Sequence, residues 1–340
     1  MSWYLIETLR PPAHSIVFVD GTEHAWSSVL KIARKDGIDS IVDLVEHVRR
    51  TREGLDRNVV GHKGDRRVVM RPVLGYEGDV YGIKTWVAPP DIPVAPERAV
   101  AAVNWDVDSL VVRHTFESYM MSSVNPDGFG ATRDPGQFLR KVAQFDALNE
   151  LMEVCMNNGA RTHFQGRLTV LHDDSHLMAW RGLARSNAGP DGAEVRGMFH
   201  DVTDTEEPQL APLTAFRLGD HEGGPATVLV AYRTNGADEV ADVPVLVYWI
   251  SKRPSYIAES AVDHNHSDTP GSLIRPEDYG EFLRAREVLK AGQDELEIPI
   301  TAELLGPDGG WVKVRFTLRR YPGAVGSLLH IGRFHRIDGI

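Results

Sequence analysis

Cysteine and long apolar runs are both scarce in this sequence of 340 residues. The single cysteine, Cys155, excludes an intramolecular disulfide and any metal site built from cysteines alone. No stretch approaches the roughly 18 uninterrupted apolar residues of a membrane-spanning helix. The N-terminal segment MSWYLIETLR lacks the basic start and apolar run of a secretory signal. These absences predict a cytoplasmic protein without membrane insertion.

Positive charge is also sparse, because no run of lysine and arginine exceeds a pair. The formal net charge is −11, from 37 basic and 48 acidic residues. A negatively charged chain repels phosphate backbones, so the composition predicts no nucleic-acid partner.

Familiar catalytic motifs are missing as well. The sequence has no Gly-x-Ser-x-Gly, no phosphate-binding Gly-x-x-x-x-Gly-Lys-(Ser/Thr) and no His-Glu-x-x-His. The segment GFGATR (Gly128–Arg133) resembles the start of a dinucleotide fingerprint, but Arg133 occupies the place of the third glycine, and we interpret it as a loop. We therefore predict a protein without enzymatic activity.

Two proline-rich segments divide the chain. Ala88–Arg98 contains four prolines, and Thr205–Thr214 contains two more beside a pair of acids. Proline favours extended backbone and donates no ladder hydrogen bond, as in linkers. The predicted domains are residues 1–90, 98–205 and 213–340; the alternative is that both segments are surface loops of one larger domain.

The three pieces share an order of strands, then a helix, then further strands. In the first, Ile41, Leu44, Val45 and Val48 form a helical stripe. In the second, Asp134 and Pro135 predict the start of one long helix that ends at Asn158-Gly159. Its apolar stripe consists of Phe138, Val142, Phe145, Leu148, Leu151, Met152 and Cys155. In the third, a helix is predicted over residues 275–292.

The end of the second piece resembles the end of a PAS sensor domain, with Gly197 followed by Asp201-Val202-Thr203. The third piece has two further PAS-like segments, Ile274–Ala285 and a hairpin with Asp308, Gly309 and Trp311. The first piece is more divergent and is PAS-like or GAF-like. The whole layout resembles an uncharacterised actinobacterial family of tandem sensor-domain proteins. This resemblance implies an α+β fold of three tandem PAS/GAF-like domains, each an antiparallel sheet with helices on one face.

The resemblance also implies a non-catalytic sensor or regulatory protein that binds a small ligand or protein partners and signals through protein–protein contacts. In PAS proteins Asp-(Ile/Val)-Thr usually caps a helix that runs into an output domain. Here Pro208 and Pro212 follow, and we expect an exit turn that leads into a linker. No output domain is expected after the last strand.

In a PAS-like fold a small apolar ligand lies between helix and sheet, which defines our candidate binding residues. In the second domain they are Trp105, Phe138, Phe145, Trp180 and Met198, and in the third Tyr248, Phe282, Trp311 and Phe316. The alternative is that these side chains are simply core and fill the space, which would make the protein a constitutive scaffold with closed pockets.

No cofactor or metal is predicted. The helix expected over residues 135–158 has no histidine for haem, and Cys155 does not have the sequence context of a flavin-binding cysteine. Cys155 lies on an apolar stripe and is expected to be buried and inert. Two segments could serve an unrecognised enzyme: Val262–Asp268, with His264 and His266, could bind a divalent metal, and the paired carboxylates of His172–His176 could act in acid/base catalysis. Solvated loops have the same composition.

Overall fold

The computed structural model describes residues 1–156, 162–189, 192–211, 225–233, 242–261, 271–291, 296–321, 326 and 328–337. The architecture is α+β, with three antiparallel sheets of six, seven and five strands, and each sheet is built from one consecutive stretch of chain. The breaks between sheets coincide with the two proline-rich segments, which is consistent with three tandem domains. We refer to these stretches as the first, second and third units; their boundaries as domains remain predictions.

The first unit has strand order β3-β2-β1-β6-β5-β4. Its strands are β1 (Ser2–Glu7), β2 (Ser15–Val19), β3 (Thr22–Ser27), β4 (Leu55–Val59), β5 (Arg66–Leu74) and β6 (Val80–Ala88). Helices α1 (Leu30–Asp36) and α2 (Ile41–Thr51) cover one face. The predicted stripe of Ile41, Leu44, Val45 and Val48 is confirmed, since all four are buried.

The second unit has strand order β10-β11-β12-β13-β7-β8-β9. Its strands are β7 (Val100–Asp106), β8 (Val111–His114), β9 (Thr132–Arg133), β10 (Val142–Gln144), β11 (His163–Leu171), β12 (Leu177–Gly189) and β13 (Gly192–Asp201). Its helices are α3 (Phe116–Met120), α4 (Pro135–Phe138) and α5 (Leu148–Met156), with 3₁₀ turns at Pro126–Gly128 and Leu139–Lys141.

The third unit has strand order β15-β14-β18-β17-β16. Its strands are β14 (Ala226–Arg233), β15 (Val243–Trp249), β16 (Glu297–Leu305), β17 (Trp311–Arg320) and β18 (His330–Arg336). The predicted helix corresponds to a 3₁₀ turn at Pro276–Asp278 that continues into α6 (Tyr279–Ala291). Among the described residues, no helix has both the length and the apolar character needed to cross a bilayer.

All three sheets obey one topological rule: the first strand of each unit pairs antiparallel with its last. These pairs are β1 with β6, β7 with β13 and β14 with β18. Each pair lies inside its sheet, with further strands on both sides. The sheet of a unit is therefore complete only when the first and last strands of that unit have paired. The shared rule supports the interpretation of three related modules.

The first and second sheets also pack against each other, so the central strands of the first unit are buried on both faces. Tyr4 and Ile6 face α1 and α2, whereas Leu5 packs between the first and second sheets against Leu183 and Met198. Every residue of β1 is buried in consequence. This explains why its sequence shows no polar–apolar alternation.

The prediction of one helix from Pro135 to Asn158 is wrong. Asp134 caps a helix, but α4 ends at Phe138, and Val142–Gln144 pairs with β11 as an edge strand. A second helix, α5, starts at Leu148. The apolar spacing is therefore satisfied by successive short elements that all face the same interior.

The strand that ends at Asp201 stops because its turn is hydrogen-bonded to the neighbouring strand. The Thr203 amide and hydroxyl donate to Asp201 Oδ1 at 3.0 and 2.6 Å. The Ala179 amide donates to Thr203 Oγ1 at 3.0 Å, and the Val202 amide to the Ala179 carbonyl at 3.0 Å. No helix follows within residues 202–211, in agreement with the expected exit turn.

Candidate ligand-binding site

An apolar cavity of about 50 Å³ lies under the helix-side face of the second sheet. The sheet provides Trp105, Phe164 and Phe199, and the segment that covers it provides Phe138 and Phe145. Two glycines are closely packed: a Cβ added to Gly197 would come within 2.9 Å of the Leu183 carbonyl oxygen, and one on Gly182 within 2.9 Å of Leu168 Cδ1. Both glycines line the cavity, and neighbouring atoms approach them too closely for a side chain at either position.

A second cavity, also of about 50 Å³, adjoins the first. Its wall is largely apolar but includes His114, Arg133 and Lys141, and we call it the polar cavity for that reason. Phe138, Leu139 and Phe199 line both cavities. The Phe138 and Phe199 rings are packed with centroids 5.8 Å apart. The two cavities therefore share part of their wall, which includes this pair of rings.

Arg133 is a buried cation in the wall of the polar cavity. Its residue is 7% exposed, its Nη2 donates to the Gly128 carbonyl at 2.6 Å, and its guanidinium lies over the Tyr119 ring. Burial, followed by the charge of Arg140, lowers the pKa of Arg133. Among the described residues no carboxylate lies within ion-pairing distance of it. A buried guanidinium without an anion is costly, which makes this an anion-seeking position.

His114 lies beside Arg133 and is neutral at physiological pH. Burial, reinforced by the charge of Arg133, lowers the pKa of His114 to about 4. Its Nε2 is 2.8 Å from the Gly130 carbonyl oxygen and 3.3 Å from Arg133 Nε. The carbonyl contact is the shorter one, and a carbonyl oxygen only accepts, so we assign the proton to Nε2. Nδ1 is then an acceptor, and it is buried without a hydrogen-bond partner among the described residues. Such an atom destabilises the empty site and favours a ligand that donates to it.

Lys141 is fixed, in contrast to Arg133. Its Nζ lies 2.7 Å from the Ser122 carbonyl oxygen, from Ser123 Oγ and from Asp173 Oδ1. Two further polar atoms on residues that line the cavity, Gln137 Oε1 and Trp180 Nε1, are buried without a partner in the described part of the chain. The residues that line the cavity therefore include one cation without a carboxylate partner, and two acceptors and a donor without any partner, among the described residues.

The segment that covers the cavities, residues 134–141, is also the contact surface with the third unit. A Cβ on Gly136 would lie 2.7 Å from the Leu246 carbonyl oxygen of β15, so α4 packs directly on that strand. The Ser260 hydroxyl lies 3.4 Å from Asp134 Oδ2, and Arg140 forms an ion pair with Glu259. The segment that covers the cavities in the second unit is therefore also in direct contact with the third unit.

Four of the five predicted residues of the second unit surround these cavities. Trp105, Phe138 and Phe145 line the apolar cavity, and Trp180 and Phe138 line the polar one. The expected position of Met198 is corrected: it faces the first sheet, where its Sδ would be 2.5 Å from a Cβ on Gly82. The strand alternation places Met198 opposite to Gly197 and Phe199.

In the third unit only two of the four predicted residues come together. Phe282 and Phe316 are fully buried with ring centroids 5.3 Å apart. Tyr248 packs with the core on the other face of the sheet, toward the second unit. Trp311 is 41% exposed and lies beside Arg275. The expected interior positions of Tyr248 and Trp311 are thus corrected, because β15 and β17 direct them to other surfaces.

The remaining sequence candidates are distributed as follows. His172–His176 forms the turn between β11 and β12, in which the His172 and His176 rings stack and Asp173 pairs with Lys141. Cys155 is buried, as predicted, and burial raises the pKa of its thiol. The segment Val262–Asp268 lies outside the described residues. No group of three or more metal-binding side chains occurs within the described ranges.

Arg133 and His114 of the candidate site were not among the residues predicted from the sequence. Both occur in or next to short strands, β9 and β8, that pair with each other. One feature of the sequence could have drawn attention to Arg133: it occupies the position of the third glycine in a segment that otherwise resembles a dinucleotide-binding motif. Its burial could not be derived from that feature.

Among known proteins, a family model matches the first unit, and a solved structure is similar over nearly the whole chain. Residues 2–97 match the family model for the N-terminal part of Rv3651-like proteins. No curated protein matches the chain. A crystal structure of an uncharacterised protein from Mycobacterium tuberculosis is similar over 99% of this chain and 96% of that chain, with a TM-score of 0.74 and 17% identity. At this identity the likeness shows a common fold.

Two sensor structures are similar at a much lower level. An RNA-binding light-oxygen-voltage receptor has a TM-score of 0.26 at 10% identity and covers 70% of this chain and 95% of its own. The periplasmic sensory domain of the Campylobacter jejuni chemoreceptor Tlp1 has a TM-score of 0.20 at 11% identity, over 62% of this chain and 75% of its own. Scores this low carry no argument about function.

Proposed function

We propose that this protein is a non-catalytic sensor whose second unit binds a small molecule and signals by protein–protein contact. The observation that carries the proposal is the pair of adjoining cavities, covered by a segment that also contacts the third unit. The units themselves are proposed to be PAS/GAF-like domains over residues 1–90, 98–205 and 213–340. Support comes from the Asp201-Val202-Thr203 turn and from the shared pairing of first and last strands.

Signal transmission follows from the double role of residues 134–141. A ligand that fills the cavities contacts Phe138 and Leu139, while Gly136 and Arg140 on the same short segment contact Leu246 and Glu259 of the third unit. A displacement of α4 by a ligand therefore changes the fit to β15. Such a change shifts the arrangement of units only if the ligand has unequal affinity for the two arrangements.

The small volume of each cavity favours a second candidate, a constitutive scaffold with closed pockets. Apolar cavities known to bind a benzene ring measure about 150 Å³, whereas each cavity here measures about 50 Å³. In the scaffold, Phe138 and Phe199 would be permanent core residues, and the unused polar atoms would be a cost of the fold.

A ligand screen distinguishes the two functions. The full chain is screened against a metabolite library by thermal shift, and binders are examined by native mass spectrometry. Leu151 lines the apolar cavity and is half-buried, so Leu151→Phe should fill it; the exposed Leu171→Phe is the matched control. A sensor gives a saturable rise in melting temperature and a one-to-one adduct, both lost in Leu151→Phe but kept in Leu171→Phe. No binder across the library would favour the scaffold.

A further inference from the structure

The electrostatic state of the polar cavity restricts the chemistry of the ligand. Arg133 carries the only guanidinium in its wall without a carboxylate partner among the described residues, since Arg140 is paired with Glu259. The nearby carboxylates have other partners. Asp173 forms an ion pair with Lys141, and Asp134 accepts a hydrogen bond from the Gln137 backbone amide at 2.7 Å. Asp134 and Glu259 are close enough to interact electrostatically with Arg133, but among the described residues neither forms an ion pair with it. A ligand anion in the cavity would supply that ion pair.

The neutral acceptors beside Arg133 add a second requirement. His114 Nδ1 and Gln137 Oε1 both need a donor. A ligand with a hydroxyl or N–H group next to its anionic group would satisfy Arg133 and His114 together. An anion without such a group would leave at least one acceptor unpaired.

The adjoining apolar cavity receives the rest of the ligand. It is lined by Trp105, Phe145 and Phe164, and it shares Phe138, Leu139 and Phe199 with the polar cavity. Its small volume admits a short or branched hydrocarbon group rather than a long chain. One end of the ligand must therefore be charged and the other end small and apolar.

On the basis of the proposed function, we infer that the site binds a short organic carboxylate, with its charged group at Arg133 and its hydrocarbon group in the apolar cavity. A hydroxyl group next to the carboxylate would donate to His114. Both cavities are needed to define the ligand. A simple anion would leave the apolar cavity unfilled, and a purely apolar molecule would leave Arg133 without an ion-pair partner.

The test is a calorimetric titration of the full chain with sodium salts of three- to six-carbon monocarboxylates, straight, branched and 2-hydroxylated. Each acid is compared with its primary amide, and inorganic phosphate tests charge alone. Acids are expected to bind more tightly than their amides by roughly tenfold or more, because a charge-assisted bond is lost in the amide. The 2-hydroxy acids should bind more tightly than the parent acids.

Variants connect the binding to the named residue. Arg133→Gln should weaken acid binding roughly tenfold or more, Arg133→Lys should retain part of it, and Arg113→Gln, on the adjacent strand β8, should leave it unchanged. Circular dichroism at the titration temperature verifies that each variant is folded. Retention of binding in Arg133→Lys separates the loss of charge from loss of structure.

Four results would overturn the inference, and they differ in what they mean for the sensor proposal. If amides bind as tightly as acids in a manner blocked by Leu151→Phe, or if Arg133→Gln leaves the dissociation constant of the acids unchanged, the carboxylate assignment is wrong while the sensor proposal stands. If neither acids nor amides nor any library compound binds, both proposals are wrong. Binding of phosphate as tightly as of carboxylates would assign the site to simple anions.

Discussion

Asp134 combines three structural roles in a single buried carboxylate. It caps α4 by accepting from the Gln137 amide, it faces Ser260 of the third unit, and it lies next to Arg133. Burial outweighs these hydrogen bonds and raises the pKa of Asp134 to about 6 from an ordinary value of 3.8. The residue is thus protonated in mildly acidic solution and carries an unfavourable charge at neutral pH.

Asp134→Asn should stabilise the protein in a pH-dependent manner. The native state binds the Asp134 proton more tightly than the unfolded state, so this stabilisation is present below about pH 4 and lost as pH rises through about 6. Asparagine retains the cap and has no charge. The free energy of unfolding of the variant should exceed that of the wild type by about 3 kcal/mol above pH 7, with little difference at pH 4.

Urea unfolding at pH 4, 6 and 8 measures this difference. Asp173→Asn is the control, because the hydrogen bond from Lys141 lowers the pKa of that carboxyl. The control should be the less stable protein at neutral pH. A constant difference between Asp134→Asn and wild type across the pH series would show that Asp134 has no raised pKa.

At the residue scale, the sequence predicted the aromatic lining of the cavity better than its polar groups. Trp105, Phe138 and Phe145 could be selected because large apolar side chains in strands and helices usually face inward. Arg133 and His114 could not, since isolated polar residues are usually exposed. Their burial depends on β8, β9 and the 3₁₀ turn at Pro126–Gly128 closing around them.

At the element scale, the covering segment of the second unit is formed from short pieces. A single helix could not follow the sheet and also supply the edge strand β10, and the chain changes conformation at Leu139 instead. Helical spacing alone does not reveal such a change, because Phe138, Phe145 and Leu148 face the same interior in either conformation. Helix α2 in the first unit and α6 in the third are uninterrupted by strands, and their positions were predicted.

Gly136→Ala should weaken the packing of α4 on the third unit. The added Cβ would meet the Leu246 carbonyl oxygen at 2.7 Å, and a backbone atom cannot rotate away. We expect a loss of about 1–3 kcal/mol, as for other overpacked sites. The measurement is the free energy of unfolding in urea.

Gly280→Ala provides the matched control for that substitution. A Cβ at Gly280, in α6, meets only Arg284 Nη1 at 3.8 Å, so alanine there should be neutral or slightly stabilising. Equal tolerance of alanine at both glycines would contradict the close contact between α4 and β15, and with it the proposed route of transmission.

At the scale of the whole molecule, a buried ion pair joins the first and second units. Glu7 is fully buried, and Arg185 contacts both of its oxygens, at 2.9 and 3.3 Å. The Leu9 amide donates to Glu7 Oε2 at 3.1 Å, and the Trp26 ring covers the guanidinium. The partners are 178 residues apart in sequence. No local pattern could have paired them, although each is predicted to lie in a strand-rich region.

Arg185→Met should destabilise the protein by about 3 kcal/mol, because it leaves the Glu7 carboxylate buried without a counter-charge. The double variant Glu7→Gln/Arg185→Met should recover part of this loss, since it removes both charges. Chemical unfolding of the wild type, both single variants and the double variant gives the coupling energy. A double variant whose loss equals the sum of the single losses would show that the pair does not couple the units.

The adjacency of first and last strands has a mechanical consequence for each unit. Ser2 is paired with Val87, Val100 with His200 and Ala226 with Phe334, so the chain comes into each unit and leaves it at the same end of one strand pair. A pulling force applied at the two ends would load the hydrogen bonds of that pair one after another, beginning at the linker. Each unit should therefore unzip at low force, and a partner that stretches the protein could open the units without first breaking their helices.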